Sequence, residues 1–317
     1  MAQGWWLVVR DNYRHISPLR PAPTSPALSQ GVGLLASLRP RQWSKNLLIF
    51  AGLLFSGRLP EKGLWPPALY TFLAYCLLAS SVYLFNDVVD REGDRLHPKK
   101  CHRPIAAGIV APELALLGSL FLAGAGLYLS LAAAGRAVAS LSLAYLGLNV
   151  AYSLKLKEVP LLDILMVALC FVLRAVAGVV AVGVELSPWF LLCTLLLSLL
   201  LVLGKRRHEL ITLGGEAAGH REVLGRYSCL FLDQLISVIT TATLVTYFLY
   251  TFFSPTGRRY ALMGTIPPVL YGLFRYLYLV YEEGKGGEPE ELLVRDPGIL
   301  GSVLLWVASV VVVLYFL

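Results

Sequence analysis

Nine consecutive residues carry the densest chemistry in this chain: Asn86-Asp87-Val88-Val89-Asp90-Arg91-Glu92-Gly93-Asp94. On a helix advancing about 100° per residue, the side chains of Asp87, Asp90 and Asp94 share an arc of about 60°, and Asn86 lies about 40° beyond Asp90. Three like charges on one face repel one another and are costly beside lipid. A cation removes that cost. Oxygen-only donors suit Mg2+ or a similar hard cation, which keeps part of its coordination shell for water and substrate phosphate. The spacing predicts Asp87, Asp90 and Asp94 as metal ligands and catalytic groups, with a diphosphate completing the shell. A solvated acidic helix end would also place carboxylates here, but three on one face beside Asn86 favour the metal.

The next ten residues, Arg95-Leu96-His97-Pro98-Lys99-Lys100-Cys101-His102-Arg103-Pro104, are basic. Such cations fit phosphate oxygens that the metal does not reach, and equally fit residues that only set membrane orientation. A second basic cluster, Lys205-Arg206-Arg207, opens a 205–232 loop that contains no Asp. Arg174 lies inside an apolar stretch, where a charge facing lipid would be expensive. Asp163 is eleven positions earlier, about 20° away on the same helix face. That face is expected to line a polar cavity; a structural ion pair or a hydrogen-bonded helix contact is the alternative. Arg275 admits both readings. Tyr152 and Tyr227 stand at span ends, where interfacial aromatics are common.

The elements that must position these groups are membrane spans. The 317 residues are 57% apolar and only 15% charged, with mean hydropathy +0.67. A soluble domain averages about 25% charged. This excludes a soluble enzyme, a nucleic-acid-binding domain and a disordered chain, so the net charge of +7 belongs to membrane loops rather than to a nucleic-acid partner. Nine apolar segments follow one another: 44–59, 65–87, 109–134, 137–154, 160–182, 187–204, 233–253, 260–281 and 298–317. The first is short and carries Lys45, so it must tilt or begin in the interface. Counted alternately, one set of connections, beginning with the N-terminus, holds 20 Lys and Arg and the other holds 5. The positive-inside rule then places the N-terminus, the 88–108 loop and the 205–232 loop in the cytoplasm. Chemistry is expected on that side.

Residues 1–32 read as an N-terminal cytoplasmic tail and 33–317 as one catalytic domain, an all-α bundle of nine transmembrane helices. Trp5, Trp6, Leu7, Val8 and Val9 make an apolar patch too short to span, expected to touch the membrane surface. The five cysteines are scattered without a C-x-x-C pair, and Cys101 between His97 and His102 fits no zinc spacing. The chain contains no P-loop and no Gly-x-Ser-x-Gly nucleophile motif. Neither nucleotide hydrolysis nor a covalent enzyme intermediate is suggested.

The N-D-x-x-D-x-x-x-D run at the end of the second apolar segment, a basic stretch ending in Arg103-Pro104, and the nine-segment pattern resemble the UbiA superfamily of intramembrane prenyltransferases. A narrower likeness, to its decaprenyl-phosphate phosphoribosyltransferase branch, rests on four runs beside the acidic motif. These are Leu38-Arg39-Pro40-Arg41-Gln42-Trp43-Ser44-Lys45-Asn46, Arg95 to Lys100, Tyr152-Ser153-Leu154-Lys155-Leu156-Lys157, and Gly204-Lys205-Arg206-Arg207-His208-Glu209-Leu210. The resemblance implies Mg2+-dependent transfer of 5-phosphoribose from 5-phosphoribosyl 1-diphosphate to a polyprenyl phosphate, releasing diphosphate. Lys45, Asn86, Arg103, Tyr152, Lys155, Lys157, Arg174, Lys205 and Arg206 are then the expected substrate-binding residues. Typical superfamily members carry a second Asp-rich motif in the loop after the sixth span. Its replacement here by cations suits direct binding of the donor's phosphates. The implied location is the cell (inner) membrane, with the active site facing the cytoplasm. Oligomeric state is left open, a homo-oligomer included. Two other functions compete: prenyl transfer from a polyprenyl diphosphate to an aromatic or other small acceptor, and a transporter for a phosphorylated lipid. The missing second Asp motif counts against the first. The three-carboxylate face counts against the second, since an anion carrier needs none.

Overall fold

A computed structural model describes residues 26–96, 100–185, 187–214, 222–253 and 259–316. The Trp5–Val9 patch and His97, Lys99, Arg221 and Arg258 lie outside these residues. The described residues are helical, with no strand among them. In chain order the helices are α1 (Pro26–Ser37), α2 (Ala51–Phe55), α3 (Trp65–Val89), α4 (Arg91–Leu96), α5 (Pro112–Leu154), α6 (Leu162–Ala181), α7 (Pro188–Leu213), α8 (Cys229–Phe253), α9 (Arg259–Met263), α10 (Ile266–Tyr281), α11 (Pro289–Arg295) and α12 (Pro297–Tyr315). A 3-10 segment, Pro40–Phe50, runs directly into α2.

The starts follow local sequence. Proline stands in the first turn of α3, α5, α7, α10, α11 and α12, where its missing N–H costs nothing. Asp296 caps α12, its carboxylate accepting from the Ile299 N–H at 2.9 Å.

Six helical stretches among the described residues are long and apolar enough to cross a bilayer: Lys62–Val89, Pro112–Leu154, Leu162–Ala181, Pro188–Leu213, Cys229–Phe253 and Pro297–Tyr315. The segments expected at 109–134 and 137–154 are both present, as the two helical halves of α5. They meet at Gly135, whose φ of 81° and ψ of −176° are not helical and are open to glycine because it lacks a Cβ. Ser130 and Ser142 join their hydroxyls at 2.9 Å across this break, a pair that one continuous helix would hold about 18 Å apart, so the two halves fold back on each other. The expectation of nine separate spans differs from the structure elsewhere: the segments expected at 44–59 and 260–281 are broken. One is the 3-10 segment plus α2; the other is α9 plus the 16-residue α10.

Packing joins α3 to α5, α5 to α6, α6 to α7, α7 to α8 and α10 to α12. One core gathers Ile164, Leu200, Leu203, Leu224, Ile236 and Leu279; another gathers Ile49, Tyr75, Leu78, Val138, Tyr145 and Ala177. Small polar residues tie the helices. The Ser81 hydroxyl donates to the Ser119 carbonyl at 2.8 Å, and the Ser119 hydroxyl donates to the Ser81 carbonyl at 2.9 Å. Gly178 lets α6 approach the 3-10 segment. A Cβ there would lie 2.0 Å from the Ile49 carbonyl oxygen. The outside is apolar, with Leu117, Leu120, Phe121, Tyr128 and Leu304 exposed. Such a surface suits lipid and not water.

Candidate functional site

The acidic motif does not sit on one unbroken helix. α3 ends at Val89, Asp90 adopts φ −88° and ψ 3°, and α4 begins at Arg91. Helical hydrogen bonding nevertheless crosses the joint. The Asp90 N–H donates to the Asn86 carbonyl and the Asp94 N–H to the Asp90 carbonyl, both at 2.8 Å. The break arises where an apolar helix gives way to a polar one.

The cost of the clustered carboxylates is met by side-chain cations from three other places in the chain. Arg103 donates through one nitrogen, Nη1, to both Asp87 Oδ1 at 3.1 Å and Asp94 Oδ2 at 2.6 Å. Arg39 pairs with Asp87 and lies over the Tyr83 ring, its guanidinium carbon 5.0 Å from the centroid. Lys157 pairs with Asp90. Asp87 and Asp94 are 2% and 4% exposed, so neither is left to water. Arg39 precedes Pro40 and adopts φ 52°, a strained conformation for a residue with a Cβ.

A second buried network lies beside the first. Arg206 Nε donates to Asp163 Oδ2 at 2.8 Å, Nη1 to Glu209 Oε2 at 2.6 Å and Nη2 to the Tyr152 hydroxyl at 3.3 Å. The Tyr227 hydroxyl donates to Asp163 Oδ1 at 2.7 Å and accepts from the Leu161 N–H at 2.6 Å. Arg207 turns the other way, donating to Asp233 at 2.5 Å and lying 4.3 Å over the Tyr281 ring.

The ion pair between residues 163 and 174, one alternative to a cavity-lining face, is not made within α6. Arg174 is buried but takes neutral partners: Asn46 Oδ1 at 2.8 Å, the Tyr145 hydroxyl at 2.8 Å and the Cys170 carbonyl at 3.2 Å. It also lies over the Tyr145 and Phe171 rings. The hydrogen-bonded helix contact, rather than an ion pair with Asp163, describes this residue. Two side chains on one helix face are about 16 Å apart along the axis when eleven residues separate them, so each finds a nearer partner.

The other expected site residues fall as follows. Arg103 and Lys157 join the aspartates of the acidic motif directly, whereas Arg206 pairs with Asp163 and the Tyr152 hydroxyl accepts from Arg206. Asn86 is half-buried, Lys155 exposed on the loop that carries Lys157, and Lys45 and Lys205 half-buried on the 3-10 segment and α7. Sequence reading did not single out Arg39 as a partner of the acidic motif, nor Tyr227 as a partner of Asp163. The polar runs containing them were visible, but their partners lie 48 and 64 positions away.

Among the described residues no three His, Cys, Asp or Glu side chains are gathered so as to hold a metal ion by themselves. The donor set still fits a hard cation. It consists of oxygens, and the nitrogen of Arg103 already occupies a position shared by the Asp87 and Asp94 carboxylates.

The chain is similar to known proteins in sequence and in fold. The model of the UbiA prenyltransferase family matches residues 47–204. The chain is 34% identical over 294 residues to decaprenyl-phosphate phosphoribosyltransferase of Corynebacterium glutamicum, covering 90% of this chain and 87% of the relative. It is 34% identical to the protein of the same name from Mycobacterium tuberculosis strain H37Rv, covering 90% and 96%. A UbiA homolog from Archaeoglobus fulgidus, solved with DMAPP and Mg2+ bound, has the same fold. Its TM-score is 0.69 at 19% identity, with 89% of this chain and 98% of that one covered.

Proposed function

The chain belongs to the UbiA prenyltransferase family, in its decaprenyl-phosphate phosphoribosyltransferase branch, and from that premise we propose that it moves 5-phosphoribose onto decaprenyl phosphate. The donor is 5-phosphoribosyl 1-diphosphate, and diphosphate is released. The observation that carries this reading is the likeness over nine-tenths of the chain to enzymes of that name, across both polar clusters of the site.

Asp87, Asp94 and Asp90 would hold a Mg2+ ion, which when bound neutralises negative charge on the departing diphosphate. The remaining work falls to the chain itself. Arg39, Arg103 and Lys157 are already gathered around the carboxylates and are placed to share phosphate oxygens of the donor. An oxygen of the lipid phosphate attacks C1 of the ribose as the bond from C1 to the diphosphate oxygen breaks. Attack from the opposite face gives inversion at C1. The acceptor is already an anion near neutral pH, so no general base is required. Rate comes from positioning and charge stabilisation in a site shielded by the bundle.

The basic asymmetry of 20 against 5 supports a cytoplasmic site and N-terminus in a nine-span bundle of the inner membrane, open to a soluble donor. Residues 33–317 form the catalytic domain of this reading, and 1–32 its tail. Mass spectrometry of the lipid made by purified protein tests the proposal. Decaprenyl phosphate with 5-phosphoribosyl 1-diphosphate should gain one phosphoribosyl group, and EDTA should stop the gain. Consumption of a polyprenyl diphosphate with a small aromatic acceptor instead would establish prenyl transfer.

A further inference from the structure

Among the described residues, two that are not glycine have positive φ: Arg39 at 52° and Leu161 at 66°. Arg39 itself reaches Asp87. Leu161 closes the short loop between α5 and α6 that carries Lys157 to Asp90. A strained Leu persists only where its surroundings hold it. Here the holder is the Tyr227 hydroxyl, which accepts from the Leu161 N–H and donates to the fully buried Asp163. Asp163 is held in turn by Arg206, itself anchored by Glu209 and Tyr152.

We infer that Tyr227 and Asp163 are positioning residues, which fix the loop ending at Leu161 and so set the Lys157 ammonium on the donor side of the acidic cluster. Arg206 acts through Asp163 in this arrangement and not on a donor phosphate. Three observations carry the inference. The Arg206 guanidinium is spent on three protein partners. Asp163 is 0% exposed and bonded at both carboxylate oxygens. The loop between the network and Lys157 is short, so a shift at Leu161 moves Lys157. Burial pushes the Tyr227 hydroxyl up to about 12, which keeps it protonated and donating to Asp163 at neutral pH. The inference rests on the proposed reading, in which Lys157 meets the donor.

Steady-state kinetics on full-length Tyr227→Phe, Lys157→Ala and the double variant tests it, using 5-phosphoribosyl 1-diphosphate and decaprenyl phosphate. Tyr227→Phe keeps the ring and removes the hydroxyl. It should raise KM for the donor roughly tenfold while leaving KM for the lipid within about twofold. Lys157→Ala should do the same, and the double variant should be no worse than Lys157→Ala alone. Asp163→Asn, which keeps the size and one acceptor oxygen, should fall between wild type and Tyr227→Phe. A donor KM that rises by the product of the two single effects would overturn the inference and leave the proposed function standing. An unchanged donor KM in Lys157→Ala would remove Lys157 from the donor site, and the inference with it. A Tyr227→Phe protein of wild-type melting temperature with wild-type donor KM would also refute it.

Discussion

Replacing Arg103 with Ala should cost stability when metal is absent and cost less when metal is present. The single Nη1 of Arg103 holds two buried carboxylates, Asp87 at 3.1 Å and Asp94 at 2.6 Å. Its removal leaves two like charges close together, and among the described residues the remaining cation, Arg39, pairs with Asp87. Stripping one partner from a fully buried ion pair costs about 3–5 kcal/mol. Two features reduce that figure here: the Arg103 side chain is 26% exposed, and Asp87 keeps Arg39. One charge-assisted hydrogen bond is worth about 1.5–3 kcal/mol, so a loss of about 2–3 kcal/mol is expected in EDTA. A divalent cation restores the missing positive charge between the carboxylates. Thermal unfolding in detergent, in EDTA and in saturating Mg2+, reads both terms. The variant should melt several degrees below wild type in EDTA and recover part of that gap with Mg2+, while wild type, which must displace Arg103, gains less. Equal Mg2+ responses in the two proteins would refute the idea that Arg103 occupies the cation's position.

Three further outcomes follow from the same geometry. Asp90→Asn or Asp94→Asn should reduce phosphoribosyl transfer at least a hundredfold with the protein still folded, and activity surviving in EDTA in either variant would remove the metal from the reaction. Lys205→Ala and Arg206→Ala should differ in kind. The first should raise donor KM by about tenfold. The second strands the buried Asp163 and should lower the melting temperature and the yield of folded protein, a loss of about 3–5 kcal/mol; identical kinetic defects in two equally stable variants would contradict the structure. Single cysteines introduced in the 88–108 or 205–232 loop should react with a membrane-impermeant reagent only from the cytoplasmic face, and labelling from outside intact cells would reverse the orientation.

The all-helical, apolar character of the chain and the acidic motif of the candidate site were legible in the amino-acid order because both are local. Apolar runs of span length, the prolines that open helices and the Asp87, Asp90, Asp94 spacing depend on residues within a few turns of one another. The resemblance to the family rested on such runs too. Interruptions of the helices were legible only in part. The break between 109–134 and 137–154 was legible and falls at Gly135, but the 3-10 winding of Pro40–Phe50 accompanies its close approach to Gly178, a contact between distant parts of the chain.

Which cation meets which carboxylate belonged to the tertiary structure alone. Charge counting placed Arg39, Arg103, Lys157 and Arg206 on the same side, but not their partners. Packing set Arg39, Arg103 and Lys157 on the acidic motif and turned Arg206 onto Asp163. It gave Arg174 to Asn46 and Tyr145 instead of to a carboxylate on its own helix. The physical reason is range. A hydrogen bond reaches about 3 Å, and which groups come within that distance across helices is settled by crossing geometry and burial, which no spacing along a single chain encodes.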